Sequence, residues 1–482
     1  MNNRVGKAFR SLAQAVSVNV ARLFISVVLT LLLPRFLGVE QYSYWQLYLF
    51  YLTYVVYSSL GWGEGLYLRY GGQEVDALDR GEVAGQFWAQ VVYEVGLSIL
   101  AWVALFLLVQ DDVKGLILRL ALVSAALDIL RFSLQSVLQA TNRIGEYARI
   151  AAAERVLFFV FAVAVLALGR RDFVSLVAAE IAARVLSLAL ALFLCRRVVF
   201  TRPWRPRPTL RLARGVIASG MTLMLAGAAS QLVLGIVRFA IEGHWGTITF
   251  GKVSLTLSMA NMLITCISAV GVVLFPMLRR MEAERVSALY DELRTVLTVL
   301  ALGFLVLYQP MEWVLRLWLP QYADSLHYLV VLFPVILYES RTFVLTDTYF
   351  KTLGATARIL QINLITVVLS AGLTAVTVAV FDSLDLAVLS IPLLVFAKNT
   401  LAETLLLRRM GQRPVWGRMA AEFLLVALFV AGHWWLGGVG PTVVYLVALA
   451  GYLLAMRRQI SATATALRRM FRGQQKSTLS NL

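Results

Sequence analysis

The chain alternates between long apolar stretches and short polar segments, and this alternation is the main feature of the sequence. A helix of about 20 apolar residues is long enough to cross the roughly 30 Å hydrocarbon core of a bilayer. We count fourteen such stretches, so the pattern predicts an all-α, polytopic membrane protein. The predicted spans are 14–33, 44–63, 85–108, 117–138, 150–168, 173–194, 215–240, 249–276, 293–311, 327–350, 358–380, 385–407, 418–436 and 441–456.

The composition agrees with this pattern. Hydrophobic residues make up 60% of the 482 residues and charged residues only 15%, whereas soluble globular domains carry about 25% charged residues. This excludes a soluble enzyme, a disordered protein and a coiled coil. Residues 16–33 form a long apolar stretch without a small-residue cleavage site, so we expect a first span there rather than a signal peptide.

The distribution of positive charge predicts the topology. The net charge is +17. With a cytoplasmic N-terminus, the predicted inside segments carry 30 Lys and Arg residues and the predicted outside loops carry five. Cytoplasmic loops of membrane proteins are enriched in these residues. We therefore expect both termini in the cytoplasm, and we attribute the basic excess to orientation rather than to a nucleic-acid partner.

The longest and most basic inside loop, at about 195–214, divides six predicted spans from the next six. Short strings recur across it at nearly constant offsets: Gly38 corresponds to Gly246, and Arg131 to Arg341. An even number of spans makes the two halves parallel, although compositional bias at loop edges is a competing explanation. The expected domains are an N-terminal six-helix lobe (1–195), a basic cytoplasmic linker (196–214), a C-terminal six-helix lobe (215–410), two extra helices (411–457) and a cytoplasmic tail (458–482).

Polar residues inside the spans recur at helical spacing. Asn19 and Arg22 share one face of span 1, and Asn261 belongs to a polar face of span 8. Helix packing explains the small polar residues, but a mid-membrane cation costs about 2.5–3.5 kcal/mol. Arg22, Arg238 and Lys252 are the cations for which packing is insufficient. We therefore expect spans 1, 2, 7 and 8 to enclose a hydrated, positively charged cavity with a wall of tyrosines from span 2.

Other charged residues within the spans have a residue of opposite charge close to them in sequence. Four such combinations predict structural ion pairs or side chains that reach the membrane surface, rather than substrate contacts. They are Asp128 with Arg131, Glu154 with Arg155, Glu180 with Arg184, and Glu339 with Arg341.

Motifs for chemistry are missing from the sequence. It has no G-x-x-x-x-G-K-[ST] phosphate loop, and its three histidines are scattered without metal-ligand spacing. No predicted outside loop exceeds about 16 residues, which argues against an extracytoplasmic catalytic loop. We expect no enzyme activity, no metal and no cofactor. Cys195 and Cys266 are expected to be reduced thiols.

One string carries a family resemblance. The sequence LPRFLGVEQYS at 33–43, followed by an aromatic span that ends in LGWG at 60–63, resembles the N-terminal signature of Wzx-type polysaccharide transporters. These are flippases of the multidrug/oligosaccharidyl-lipid/polysaccharide superfamily, whose topology is shared by MurJ-type lipid flippases. The family pattern often has glycine where this chain has Ser43. The span count and the six-plus-six repeat extend the resemblance over the whole length.

The resemblance implies two six-helix lobes around a cavity lined by spans 1, 2, 7 and 8, which opens alternately to either side. It implies a bacterial cytoplasmic-membrane flippase that moves undecaprenyl-pyrophosphate-linked oligosaccharide from the inner to the outer leaflet. Ion or potential coupling is also implied, with membrane lipids and glycan polymerase or glycosyltransferase machinery as partners.

The predicted site combines the polar faces with this resemblance. The expected substrate-binding residues are Arg22, Asn19, Arg238, Lys252, Asn261, Tyr48, Tyr51, Arg69 and Arg279, and the acids expected to couple an ion are Glu64, Asp128 and Glu339. Three alternatives remain open: a drug/cation antiporter of the same superfamily, a membrane glycosyltransferase or polymerase, and a lipid scaffold without transport.

Overall fold

The computed structural model describes the backbone of residues 2–74, 77–202, 205–279, 283–463 and 465, and the side chains of this set except residues 2–23 and 263–288. Within these ranges every regular element is a helix, which confirms the all-α class. Nine described helices are long and apolar enough to cross a membrane, and up to eleven if each bent pair is one span. The chain is therefore a multi-pass membrane protein, and the count of fourteen stays a prediction.

The helices follow one another with short connections. The α-helices are α1 Asn2–Val55, α2 Trp62–Tyr70, α3 Arg80–Leu108, α4 Asp112–Ala140, α5 Ile144–Ala167, α6 Phe173–Leu194, α7 Arg196–Val199, α8 Pro206–Arg279, α9 Ala283–Leu305, α10 Tyr308–Trp318, α11 Ala323–Leu326, α12 Leu329–Leu332, α13 Val335–Arg341, α14 Asp347–Thr352, α15 Thr356–Ala375, α16 Leu384–Arg409, α17 Trp416–Trp435 and α18 Gly440–Ala455. Two 3₁₀ turns, Val56–Ser59 and Pro320–Tyr322, and two π-helical turns, Thr342–Thr346 and Val376–Val380, complete the order.

Two of these helices, α1 and α8, each bend at a glycine. Gly38 has φ 78° and ψ 170°, and Gly246 has φ 81° and ψ 173°. A residue with a side chain rarely adopts such angles, so both positions require glycine. The two glycines are the pair that the sequence repeat aligned, and they share one backbone conformation. Each bend separates two predicted spans, 1 from 2 and 7 from 8.

Contacts divide the chain into two compact units. Unit 1 comprises 1–232 and 245–255, and unit 2 comprises 233–244 and 256–482. In unit 1, α4 packs against α1, α2, α3 and α6, and α5 packs against α1 and α6. By contacts, therefore, parts of α8 belong to unit 1, and the six-plus-six domain boundaries stay a prediction.

The interior of unit 2 is built around predicted span 10. The helical segment Leu329–Thr352 is 89% buried over its most apolar window. It is composed of α12, α13, the π-turn and α14, and it is interrupted at Pro334, which lies between α12 and α13. The two extra helices pack against each other and join this core, since α12 contacts α17. The Tyr445 hydroxyl on α18 donates to the Leu302 carbonyl on α9 over 2.8 Å.

Candidate functional site

Three residues of the predicted site lie outside the described side chains. They are Asn19, Arg22 and Arg279. Their helical backbone is described, in α1 and at the end of α8, but nothing is stated about their contacts. Their proposed roles stay predictions from the sequence.

Arg238, Lys252 and Asn261 lie on α8. The first two are half-buried and Asn261 is exposed. Lys252 belongs to unit 1, whereas Arg238 and Asn261 belong to unit 2. Each of the three interacts with a neighbouring group, so none is an isolated side chain.

The two span 2 tyrosines have different surroundings. Tyr48 is fully buried inside unit 1, where its hydroxyl donates to Ser124 Oγ (2.7 Å) and accepts from Arg184 Nη1 (2.8 Å). Tyr51 is half-buried, with Lys114 Nζ 6.0 Å from its ring centroid. In this structure Tyr48 is therefore part of the interior polar network, and its place in a cavity wall stays a prediction.

Arg69 lies in the last turn of α2 and is bound by an acid. Its Nε and Nη2 donate to the two oxygens of Glu82 over 2.7 and 3.2 Å. Tyr70 donates to the same carboxylate over 2.8 Å. The hydrogen bond to Glu82 raises the pKa of Arg69 further above its ordinary value. Arg69 thus remains charged, with that charge largely compensated.

A five-residue ionic network is buried in unit 1. Asp128 accepts from Arg131 over 2.8 Å and from Arg184 over 3.1 Å, and Arg184 also pairs with Glu180 over 2.8 Å. Arg131 reaches Glu154 over 3.0 Å. The predicted pairs Asp128–Arg131 and Glu180–Arg184 are confirmed. Among these residues in direct contact, three carboxylates face two guanidinium groups. We call this set the unit 1 network.

The predicted pair of Glu154 with Arg155 is wrong. Adjacent residues on a helix point about 100° apart, and Glu154 turns towards Arg131 on α4 instead. Arg155 lies at the middle of α5, half-buried, and makes no hydrogen bond or ion pair among the described residues. It is a cation inside a predicted span without a described acidic partner. Arg22 and Lys252 were selected because no acidic residue lies near them in sequence, whereas Arg238 has Glu242 four residues away. The sequence concealed Arg155 because an acid precedes it directly.

A second ionic network is buried in unit 2. Arg341 binds Glu403 over 2.6 Å and also binds Glu422, and Arg294 binds the same two acids. All four side chains are at most 4% exposed. We call this set the unit 2 network, and it contains two cations and two anions. The predicted pair of Glu339 with Arg341 is wrong, because partners from α16 and α17 occupy Arg341.

The three predicted coupling acids differ in how they are bound. Asp128 is held by two guanidinium groups of the unit 1 network. Glu339 pairs with the buried Lys398 over 3.2 Å. Glu64 on α2 is half-buried, and its Oε2 is shielded from solvent without a hydrogen-bond partner among the described residues. Of the three, Glu64 is therefore the acid that no described cation neutralises.

Within unit 1, span 2 packs on α8 at both ends so closely that side chains are excluded. At one end, a Cβ on Gly220 would lie 2.0 Å from the Gly61 carbonyl oxygen, and a Cβ on Gly65 would lie 2.0 Å from the Val216 carbonyl oxygen. At the other end, a Cβ on Gly251 would lie 2.0 Å from Ser43 Oγ. Such backbone contact needs glycine and is a common device where membrane helices associate.

A small cavity lies beside the unit 2 network. Its volume is about 200 Å³, and its lining includes Arg294, Glu403, Arg413 and Arg418. Pockets for small molecules usually measure about 300–1,000 Å³. The cavity is therefore too small for an oligosaccharide and is not the predicted substrate site.

No protein-family model and no curated protein matches the chain. Solved structures with the same fold do exist. The lipid II flippase MurJ in an inward-closed conformation is 11% identical, with a TM-score of 0.66 over 94% of this chain and 100% of that chain. An inward-facing multidrug resistance MATE family transporter of the MOP superfamily is 14% identical, with a TM-score of 0.63 over 86% of this chain and 98% of that one.

A third structure with this fold is a MOP superfamily transporter from Pyrococcus furiosus, described as having a binding pocket of reverse polarity. It is 12% identical, with a TM-score of 0.54 over 87% of this chain and 95% of that chain. These identities are low, so the comparisons establish the fold. The chain has the all-helical fold of MOP superfamily transporters along most of its length.

Proposed function

We propose that the chain is a flippase that moves lipid-linked oligosaccharide from the inner to the outer leaflet of a bacterial cytoplasmic membrane by alternating access. The proposal has two supports. The fold is that of a lipid II flippase over 94% of the chain. The sequence adds the Wzx-type signature at 33–43 and 60–63.

One observation carries the choice of an anionic headgroup. Arg155 lies in the middle of α5, inside predicted span 5, without an acidic partner among the described residues. Keeping such a charge in a span costs about 2.5–3.5 kcal/mol, which favours a functional reason for it. A pyrophosphate group supplies the opposite charge, and guanidinium groups bind phosphate oxygens in bidentate geometry. We add Arg155 to the predicted cations Arg22, Arg238 and Lys252.

The transport cycle follows from these parts. The sugar–pyrophosphate headgroup enters from the cytoplasm, with Arg69 and Arg279 near the inner mouth, and binds the mid-membrane cations. The polyprenyl tail stays in the bilayer. The glycine contact between span 2 and α8 at Gly61 and Gly220 then forms the inner closure, and the contact at Ser43 and Gly251 opens to release the headgroup outside.

The driving force is a membrane potential or a coupled cation. Each elementary charge that crosses the membrane gains about 2.3 kcal/mol per 100 mV. Glu64, Asp128 and Glu339 remain the proposed coupling acids, and Glu64 fits this role best because its buried oxygen has no described partner. The charge asymmetry of the loops supports cytoplasmic termini. Glycan polymerases or glycosyltransferases are the expected partners.

A drug/cation antiporter is the second candidate, and the MATE-like fold favours it. An antiporter for cationic drugs needs an acidic cavity, whereas the predicted cavity is cationic. Resistance to cationic dyes on expression would support this candidate. Polymer elongation by the purified protein would instead support a glycosyltransferase or polymerase.

Complementation tests the proposed function. A strain that depends on this protein for its surface glycan would receive Arg155→Gln, Arg238→Ala or wild type at matched membrane levels. Arg457→Gln, at an exposed site after α18, is the control. We expect Arg155→Gln and Arg238→Ala to reduce surface glycan and the control to sustain it. Normal glycan in both arginine variants would contradict the cationic site.

A further inference from the structure

The helix α3 has a buried polar face that the proposed site does not use. Gln86, Gln90 and Glu94 follow one another at four-residue spacing, and they are 0%, 0% and 2% exposed. They therefore form one stripe along the helix, directed inwards. Glu94 lies at the middle of this 29-residue helix. Buried polar groups normally have hydrogen-bond partners, so each member of the stripe needs one.

Of the three residues in the stripe, Gln86 is the one whose side chain has described hydrogen-bond partners. Gln86 accepts from Trp62 Nε1 over 3.2 Å and donates to the Thr209 carbonyl over 3.0 Å. Both amide atoms of Gln90 and the Oε1 of Glu94 are buried without a hydrogen-bond partner among the described residues. A buried carboxylate without a partner is very unfavourable. Such a group must be neutralised by a proton or a bound cation.

The stripe faces a break in span 2. Two contacts flank Gln90 along α3. Gln86 binds Trp62 on its N-terminal side, and on its C-terminal side the Tyr93 hydroxyl donates to the Ser58 carbonyl over 2.9 Å. Between these two contacts, the 3₁₀ turn Val56–Ser59 ends, and Leu60 and Gly61 adopt left-handed angles before α2 begins. A break in a spanning helix releases backbone carbonyls, and such carbonyls bind coupling ions in other transporters.

A further unsatisfied oxygen lies on the other side of the same break. Ser133 on α4 is 1% exposed, and its Oγ has no partner among the described residues. This Oγ is 3.6 Å from where a Cβ of Gly63 would be. Buried side-chain oxygens without a described partner therefore lie on α3, at Gln90 and Glu94, and on α4, at Ser133. Oxygen groups of this kind suit hard cations.

The charge of the site favours a monovalent cation as the ligand. Tyr93 is the titratable neighbour that interacts with the Glu94 charge. No Lys or Arg among the described residues pairs with Glu94. The described residues also contain no group of three His, Cys, Asp or Glu that could hold a metal ion. One carboxylate balances one positive charge, which favours a monovalent over a divalent ion.

We propose that Glu94 and Gln90, together with the span 2 break and Ser133, bind a monovalent cation, either a proton on the Glu94 carboxylate or a sodium ion. That this cation is the coupling ion rests on the proposed function, but binding itself does not. The bound cation stabilises the broken span 2 in the arrangement that packs Gly61 and Gly65 against α8. Loss of the cation leaves a buried charge beside the break and favours opening of the inner contact.

Thermal unfolding of the purified full-length protein, without substrate, tests the site. Sodium chloride is compared with choline chloride at constant ionic strength and pH, and pH is varied separately. We expect wild type to be stabilised by sodium at fixed pH if the ion is sodium, or by acid alone if it is a proton, because either removes the buried charge. Equal responses to choline and sodium, with no response to pH, would overturn the proposal.

Substitutions assign the response to Glu94. Glu94→Gln mimics the neutral carboxyl group, and Gln90→Leu removes the amide. Both substitutions should weaken the apparent affinity for the stabilising cation at least about tenfold. Glu74→Gln removes an exposed acid near the inner end and is the matched control. A full response in Glu94→Gln would overturn the proposal.

A measurement on wild type keeps the test independent of variant folding. Carbodiimides react with protonated carboxyl groups in apolar surroundings, and mass spectrometry locates the adduct. Labelling of Glu94 that increases at low pH, or decreases with sodium, is the expected result, and labelling that neither ion changes would contradict it. If wild type binds the cation but Glu94→Gln still exports normal amounts of glycan, the coupling role is refuted and the binding site is not.

Discussion

The two units bury ionic networks of similar construction and different charge balance. In unit 2, two guanidinium groups and two carboxylates bind one another in a closed set. In unit 1, two guanidinium groups contact three carboxylates. Unit 1 also buries Glu94 without a described partner. The unit 1 network therefore contains one more acid than base, whereas the unit 2 network is neutral.

This difference suggests a division of roles. A neutral network survives in lipid because each charge is compensated, and its partners then hold α9, α13, α16 and α17 together. An acidic interior must take up protons or cations, so it responds to their concentration. We therefore propose that the unit 2 network holds its helices together, and that unit 1 responds to the concentration of protons or cations.

Breaking the unit 2 network should have the largest effect. Arg341→Leu leaves two carboxylates buried beside a single cation, and loss of one partner of a buried pair costs about 3–5 kcal/mol. Chemical unfolding in detergent measures this cost. Arg358→Leu, at an exposed position on α15, is the control. A cost below about 1 kcal/mol for Arg341→Leu would remove the scaffold interpretation.

The close packing of unit 1 gives the next effect. Gly220→Val would place its side chain against the Gly61 carbonyl, and overpacking of this kind costs about 1–3 kcal/mol. We expect the inner contact to open, which increases labelling of a cysteine introduced near Gly61. Gly215→Val on the same helix meets open space and should leave labelling unchanged. Unchanged labelling in Gly220→Val would show that this contact is not an inner closure.

The charge balance itself can be tested with one substitution in each unit. Glu403→Gln leaves unit 2 with an uncompensated guanidinium group and should cost about 2–3 kcal/mol. Glu154→Gln removes the excess acid from unit 1, so its cost should stay below about 1 kcal/mol. Unfolding of both variants in the same detergent gives the difference. Equal costs would show that the count of direct contacts does not describe the unit 1 network.

The smallest effect on stability is expected at Arg155. It has no described partner to lose, so Arg155→Gln should not lower the free energy of unfolding. The same substitution should weaken binding of a pyrophosphate-linked lipid about tenfold or more, measured by native mass spectrometry. A destabilised protein with normal lipid binding would instead indicate a structural role for Arg155.

The sequence could predict what repeats at short range. Apolar stretches gave the helical class, and helical spacing gave the pairs Asp128–Arg131 and Glu180–Arg184, which the structure confirms. Gly38 and Gly246 were found as repeat partners and share one backbone conformation. Each of these features depends on residues within about one helical turn of each other or on the similarity of two sequence segments.

Long-range choices were beyond the sequence. Arg341 has a near neighbour in Glu339, but it binds acids from two later helices, and helix orientation decides between them. The same cause misassigned Glu154 and hid Arg155. The stripe of Gln90 and Glu94 was visible at four-residue spacing, but its lack of partners is a property of packing that no spacing reveals.

The central claim is that positive charge inside the bundle carries an anionic lipid headgroup across the membrane. The most direct test places purified protein in liposomes with a fluorescent polyprenyl-pyrophosphate oligosaccharide and measures how much becomes accessible on the opposite leaflet. We expect wild type to translocate the lipid, and Arg155→Gln and Arg238→Ala to slow it at least about tenfold. Absence of translocation by wild type, or equal rates in all three proteins, would contradict the account.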